Sequence, residues 1–352
     1  MKKISLLLIT LLSIMVLTAC KRADIKILMP GGYIDTAIVR AFEKETGKKV
    51  QIITFDSNEA ALTKARTEKY DLYLPSDYMA EQMIKEDMIQ KIDWSKIPNL
   101  NKNTSFPDVL NELLQELEAD FPLLDYLVPY FWGNLGIVYN KETVTLEQLE
   151  AAQWDIFKNK ELNMVMYDSS RDGFFVALKS LGYSANTSNE AELKEAENWL
   201  KDMTANSTIT FLTDEILDDM LVPRFDLSLT YSGDAVYLLS EQEKLGYFVP
   251  SVGTNVFVDG FVIPKEVNDL DAVYAFINFI SSYDNALQNT LEIMYQSPRK
   301  DVYNEMLESG SDLYDYIDAY QVEKHENDEL FRYVPTAKAF IDDAWATIRA
   351  SN

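Results

Sequence analysis

The sequence predicts an α/β protein of two lobes joined by a hinge, with mostly parallel sheets and helices on both faces. Three observations predict it. Strands alternate with helices from residue 25 onward, the pattern of a parallel sheet with crossover helices. The alternation runs twice, with a second series starting near Leu135. No low-complexity linker separates the two series, so more than one strand has to cross between them, and the lobes hinge rather than float.

The elements follow in order. Ile25 to Met29 is a short apolar strand, broken by Pro30-Gly31-Gly32. Ile38, Val39, Ala41 and Phe42 fall at helical spacing, and Gly47 stops that helix as a C-cap. Val50 to Phe55 is the second strand; Ser57 caps a helix over Asn58 to Glu68. Tyr70 to Leu74 is a third strand, closed by Pro75-Ser76. In such sheets ligands bind beyond the carboxyl ends of the strands, which singles out the loops Pro30 to Tyr33 and Pro75 to Tyr78.

A helical stretch near Val109 to Glu118 leads to Val128-Pro129-Tyr130-Phe131-Trp132-Gly133, where Trp132 reads as structural. The second series has strands at Leu135 to Asn140, Asn163 to Tyr167, Thr208 to Leu212, Asp226 to Tyr231 and Val256 to Pro264. Its helices include Phe174 to Leu181, Ala272 to Ile280 and Thr336 to Ile348.

The first twenty residues have a different character. Lys2 and Lys3 precede an apolar run from Ile4 to Leu17, shorter than the roughly 20 residues a bilayer span needs. Leu17-Thr18-Ala19-Cys20 follows, and it resembles the lipobox of bacterial lipoproteins. The expectation is a signal peptide over 1–19, a diacylglyceryl group on Cys20, and a tether over 20–23. Cys20 is the only cysteine, so disulfides and thiol chemistry are not expected.

The formal net charge is −25, and loss of Lys2 and Lys3 with the leader would make it −27. Nucleic acid is therefore an unsuitable partner, because phosphate binding requires clustered Lys and Arg. His325 is the only histidine, which excludes a His-based zinc site and leaves one candidate base for a serine triad. No Gly-x-Ser-x-Gly elbow or His-Glu-x-x-His helix occurs. No catalytic residue, metal site or cofactor is expected, although a carboxylate-dependent hydrolase stays open, since acids are plentiful.

Several segments resemble the extracellular solute-binding proteins, and more narrowly the spermidine/putrescine-binding proteins of polyamine ABC transporters. They are Ala41-Phe-Glu-Lys-Glu-Thr-Gly-Lys-Lys-Val50, Tyr70-Asp-Leu-Tyr-Leu-Pro-Ser-Asp-Tyr78, Met88-Ile-Gln-Lys-Ile-Asp93, Val128-Pro-Tyr-Phe-Trp-Gly133, Leu181-Gly-Tyr-Ser-Ala-Asn186, Asp259-Gly-Phe-Val-Ile-Pro264 and Ile277-Asn-Phe-Ile280. The resemblance implies a two-lobed periplasmic-binding-protein-like fold of type II. Lobe 1 would be 24–133 plus 260–297, and lobe 2 would be 134–259 plus 298–352. It also implies a monomeric receptor, held outside the cell membrane by the lipid on Cys20, that captures a polyamine or related organic cation between its lobes. The receptor would deliver this solute to permease subunits driven by an ATPase.

By the same resemblance, Tyr33, Ser76, Tyr78, Asp172, Tyr231, Phe257, Asp259 and Tyr295 would line the cleft, with Asp259 holding an amine. This sequence departs from the family at several places, among them the second-lobe tryptophans, which are Tyr231 and Phe257 here, and a glutamine near the C-terminus, which corresponds loosely to Phe331. A tryptophan and a glutamate of the first loop are replaced by Pro30 and Gly32, and an aspartate by Ser169. Three explanations stand: Asp77 and Asp234 supply replacement carboxylates; the ligand is a shorter or singly charged amine; or it is another solute, such as an amino acid or a phosphonate. For the last, Gly31-Gly32 and Arg171 would favour an anionic group.

Overall fold

The structure, a computed structural model, describes residues 23–350 except 119, 206–208, 214 and 223. The expected leader, Cys20 and most of the tether lie outside the described residues. The strands are β1 (Ile25–Pro30), β2 (Val50–Phe55), β3 (Leu72–Tyr73), β4 (Ile89–Gln90), β5 (Leu127–Asn140), β6 (Met164–Tyr167), β7 (Ile209–Leu212), β8 (Leu227–Tyr231), β9 (Leu245–Phe248) and β10 (Val256–Pro264). They connect in the order β2-β1-β3-β10-β5-β8-β6-β7, with β4 on β10 and β9 on β5.

The strands particular to each half pair in parallel: β1 with β2 and β3, and β6 with β7 and β8. Every pairing made by β5 and β10 is antiparallel. The expectation of parallel sheets therefore holds within each half, and the crossing strands depart from it. These two strands join the halves, which is the multiple crossing inferred from the missing linker.

Side-chain alternation explains why the sheet has a packed layer on each face. In β1, Ile25, Ile27 and Met29 face one apolar cluster, while Leu28 faces the other. Helix Thr36–Thr46 lays Ile38 and Phe42 on the first layer, capped by Asp35 at its start and by left-handed Gly47 at its end. Ser57 caps Asn58–Thr67 by accepting the Ala60 N–H. Helix Leu270–Ile280 adds Val273, Phe276, Ile277 and Ile280 to the same layer as Phe42.

The 14-residue strand β5 runs straight through Pro129, where the sequence suggested a break before Leu135. A bulge makes this possible. Asp259 pairs with Phe131 and Gly260 with Pro129, so Tyr130 is the extra residue on β5. Pro129 has no N–H to give the ladder and is tolerated at such an irregularity. Tyr130 and Phe131 consequently face the same apolar layer, although they are consecutive. Gly260 is required opposite them: a Cβ there would lie 2.2 Å from Leu127 and 2.6 Å from the Val128 carbonyl.

A third connection follows helix Lys300–Met306. Glu329 pairs with Asn255, and its carboxylate takes the buried Lys179. Arg332 Nε then donates to Glu81 at 3.0 Å, and the Tyr333 N–H to the same carboxylate at 2.9 Å. Glu81 belongs to helix Asp77–Lys85, so this strap reaches from the second half of the chain back to the first. No described helix is long and apolar enough to cross a membrane.

Candidate ligand site

The residues expected to line the cleft converge where strand ends from both halves meet. Tyr33 follows β1, Ser76 to Tyr78 follow β3, and Ser169 and Asp172 follow β6. Tyr231 ends β8 with Asp234 just after it, and Phe257 and Asp259 lie within β10. Tyr295 comes from the segment after helix Tyr283–Ile293.

Tyr33 is fixed from behind. Its carbonyl accepts the Tyr130 hydroxyl at 2.7 Å, and that hydroxyl accepts Asn289 Nδ2 at 2.8 Å. Asn289 also accepts the Asp35 N–H, so the first loop is bolted to helix Tyr283–Ile293. Gly32 supplies the left-handed turn at φ 65° that brings Tyr33 round. The Tyr33 ring meets Phe131 at 5.2 Å and Tyr295 at 5.1 Å, both edge-on, and its hydroxyl donates to Asp259 Oδ2 at 2.7 Å.

Two further carboxylates repeat the arrangement. Tyr231 donates to Asp172 Oδ2 at 2.9 Å, and Tyr167 to Asp234 Oδ2 at 2.8 Å. The Tyr167 and Tyr231 rings stack at 5.0 Å. Tyr231 meets Phe257 edge-on at 5.3 Å, and Phe257 meets Tyr295 at 6.2 Å. Tyr33, Tyr295, Phe257, Tyr231 and Tyr167 thus form one continuous run of rings with Asp259, Asp234 and Asp172 along it. Tyr167 belongs to this cluster, and the sequence reading did not single it out. Its position at the carboxyl end of β6 was the available signal.

Burial sets the electrostatics. It pushes the Asp259 carboxyl up, opposed by Ser76 and Tyr33, and pushes Asp172 up, opposed by Tyr231, Ser169 and Arg171. Burial, and then the adjacent carboxylates, raise the hydroxyls of Tyr33, Tyr167, Tyr231 and Tyr295 well above the ordinary phenol range. They are therefore neutral donors at physiological pH. Asp259 Oδ1 is buried without a hydrogen-bond partner among the described residues. An additional cation here would stabilise carboxylates that solvent no longer supports.

Other predicted residues have partners within the fold. Asp77 is 2 % exposed, and its two oxygens accept the N–H groups of Tyr78 at 2.6 Å and Val258 at 3.1 Å. It pins helix Asp77–Lys85 to β10, and burial pushes its carboxyl up to about 8. Ser169 N-caps helix Ser170–Ser180 by accepting the Asp172 N–H at 3.3 Å. Ser76 pairs with Asp259 through an isolated bridge, and its hydroxyl accepts Asn58 Nδ2 at 3.0 Å. Tyr78 lies under the Arg171 guanidinium, 3.7 Å from its carbon to the ring centre, and meets Phe331 edge-on. Trp132 is fully buried and donates to the Ser297 carbonyl.

Residues 37–313 match the family described as bacterial extracellular solute-binding protein. A spermidine/putrescine-binding periplasmic protein of Escherichia coli is 32% identical over 271 residues, covering 76% of this chain and 75% of that one. A putative spermidine/putrescine ABC transporter structure from Listeria monocytogenes superposes with a TM-score of 0.80 at 32% identity, covering 93% of this chain and 99% of that one. The structure of a lipoprotein of Treponema pallidum superposes with a TM-score of 0.75 at 25% identity, covering 92% and 98%. These likenesses span both halves of the fold, and the chain belongs to the bacterial extracellular solute-binding protein family, in the two-lobed form shared with the spermidine/putrescine-binding proteins.

Proposed function

We propose that this protein is the solute-binding receptor of an ABC importer and that it captures a polyamine, such as putrescine or spermidine, between its lobes. One observation carries the reading: three carboxylates, Asp172 buried and Asp259 and Asp234 half-buried, each accept a tyrosine hydroxyl along a continuous run of aromatic rings. Carboxylates receive ammonium groups through charge-assisted hydrogen bonds. Ring faces suit both the methylene chain and the cations at its ends. The names of the relatives point to the same solute class.

Asp259, Asp172 and Asp234 would take the amines, and Tyr33, Tyr231, Phe257 and Tyr295 would form the walls. Asp77, turned to the backbone, would act by holding Val258 and so Asp259 in place. The lobe limits 24–133 plus 260–297 and 134–259 plus 298–352 fit the crossings at β5 and β10. Binding and release of an unchanged solute, not catalysis, is the activity. Lipid on Cys20 would keep a monomeric receptor beside its permease, outside the cell membrane, and raise the effective concentration there.

The test is a thermal-shift panel of putrescine, spermidine, amino acids, phosphonates and neutral sugars on the purified protein. An amine at 100 times its Kd stabilises by about 2.7 kcal/mol. A shift with a sugar or a phosphonate, and none with any amine, overturns the ligand assignment while leaving the family intact.

A further inference from the structure

Asn289 lies within helix Tyr283–Ile293 and is 2 % exposed, at a place where an apolar residue would pack without burying an amide. Asparagine is also a poor helix former, so its presence calls for partners outside its own helix. Both ends of the amide find them in the first loop. Oδ1 accepts the Asp35 N–H at 2.9 Å, and Nδ2 donates to the Tyr130 hydroxyl at 2.8 Å. That hydroxyl in turn donates to the Tyr33 carbonyl at 2.7 Å. One side chain therefore holds backbone groups on both sides of Ile34. The neighbouring Gln288 adds a bond from its Nε2 to the Asp35 carboxylate at 2.6 Å.

The chain leading into Tyr33 has no comparable support. Gly31 and Gly32 are exposed, and a Cβ on either would meet nothing within 4 Å. The chain after Tyr33 is held, and helix Tyr283–Ile293 holds it. The same helix continues through the left-handed Met294, at φ 66°, into Tyr295. Tyr33 and Tyr295 then meet edge-on at 5.1 Å. Two walls of the cleft thus take their positions from one helix. Placed in this way, the Tyr33 hydroxyl occupies Asp259 Oδ2, and Oδ1 is the oxygen left for an incoming donor.

We propose that Asn289 is a positioning residue for solute binding. Its amide sets Tyr33 against Asp259 through Tyr130, and so sets the affinity of the cleft for an ammonium group. The inference rests on the polyamine reading above and adds to it a residue that acts on the solute only through others.

Titration calorimetry with putrescine and spermidine tests it on the wild type, Asn289→Leu, Tyr130→Phe, Tyr33→Ala and the Tyr33→Ala/Asn289→Leu double variant. Asn289→Leu keeps the volume and removes both loop bonds. Tyr130→Phe keeps the ring and removes only the hydroxyl in the middle of the relay. Each is expected to weaken both amines about tenfold. With the Tyr33 side chain already gone, Asn289→Leu is expected to cost less than about twofold more, because changes that act through one contact do not add. Ile277→Val, in the same apolar layer, serves as the control: it is expected to lower the melting temperature and leave both affinities unchanged. Affinities of Asn289→Leu and Tyr130→Phe within threefold of wild type overturn the proposal. So does a tenfold loss that persists in the Tyr33→Ala background, or one that Ile277→Val reproduces. Should Asn289→Leu fail to fold, or Tyr33→Ala give no measurable heat, Tyr130→Phe decides: a tenfold loss supports the relay and a loss under threefold overturns it. A wild type that binds neither amine overturns the polyamine reading itself, and the same variants then test the relay with whichever solute of the thermal-shift panel stabilises the wild type.

Discussion

Replacing Asp259 with asparagine is the most informative single change, because it is expected to move stability and binding in opposite directions. The carboxyl sits on β10 with Tyr33 donating to Oδ2 at 2.7 Å, while Oδ1 is buried without a hydrogen-bond partner among the described residues. Asparagine keeps the shape and can still accept the Tyr33 hydroxyl, so the change chiefly removes a charge that burial disfavours. The ligand-free variant should therefore melt no lower than wild type.

For an amine the loss is large. A hydrogen bond to a charged group contributes about 1.5–3 kcal/mol, and truncating one partner of a desolvated charge pair costs about 2–5 kcal/mol. A middle value of about 3 kcal/mol is roughly a hundredfold in Kd. At a putrescine concentration of 100 times the wild-type Kd, stabilisation should fall from about 2.7 kcal/mol to about 0.4 kcal/mol, since the ligand then stands near the variant's Kd. Titration calorimetry gives the affinity and a thermal scan gives both stabilities. A loss of affinity under fivefold would show that Asp259 does not receive an ammonium. A melting temperature clearly below wild type without ligand would show that its carboxylate serves the fold.

Two further outcomes follow from the same geometry. The Asp77 carboxyl, raised to about 8 by burial, holds its proton in the folded protein over a range where the unfolded chain has released it. The folded state then binds more protons, so this group's contribution falls as pH rises from about 4 to about 8 and is complete only below the unfolded value. Asp77→Asn should flatten that slope in denaturant titrations across the range, and it should cost about 1–3 kcal/mol at acidic pH, because one of the Tyr78 and Val258 N–H groups loses its acceptor; an unchanged slope would refute the assignment. A Cβ on Gly233 would lie 2.0 Å from the Tyr295 ring, so Gly233→Ala should displace that wall, cost about 1–3 kcal/mol of stability and weaken amine binding about tenfold; unchanged affinity would remove Tyr295 from the site.

How much of this was legible in the sequence depends on the range of the interactions involved. The caps at Ser57 and Gly47 are local, and the structure keeps both. The strand at Val50–Phe55 and the full extent of β10 were likewise written in short runs of apolar residues. The loop read over Pro75 to Tyr78, where Pro75-Ser76 signals a turn, runs into a helix, Asp77–Lys85, that the sequence left unassigned. What makes the helix start there is the seating of Asp77 against Val258, a contact absent from the local sequence. The continuity of β5 through Pro129 was equally hidden. Only the partner strand shows that Tyr130 is an extra residue, and only that bulge turns Tyr130 and Phe131 toward the same side, against Tyr33.

The same distinction applies to the altered first loop. With Pro30 and Gly32 in place of the aromatic and acidic residues of the relatives, Asp77 and Asp234 were equivalent candidates for a replacement carboxylate, each near the end of a strand and the start of a helix. The structure separates them by what their oxygens face. Asp77 is turned to two backbone N–H groups, one of them 181 residues away, and any ligand would have to strip those bonds before using it. Asp234 instead receives the Tyr167 hydroxyl beside the Tyr231 ring, within the cluster a ligand would enter. A carboxylate absent from the first loop is thus offset by Asp234 and not by Asp77, so the amine reading depends on the oxygens that meet the Tyr167 hydroxyl and not on those already taken by the backbone.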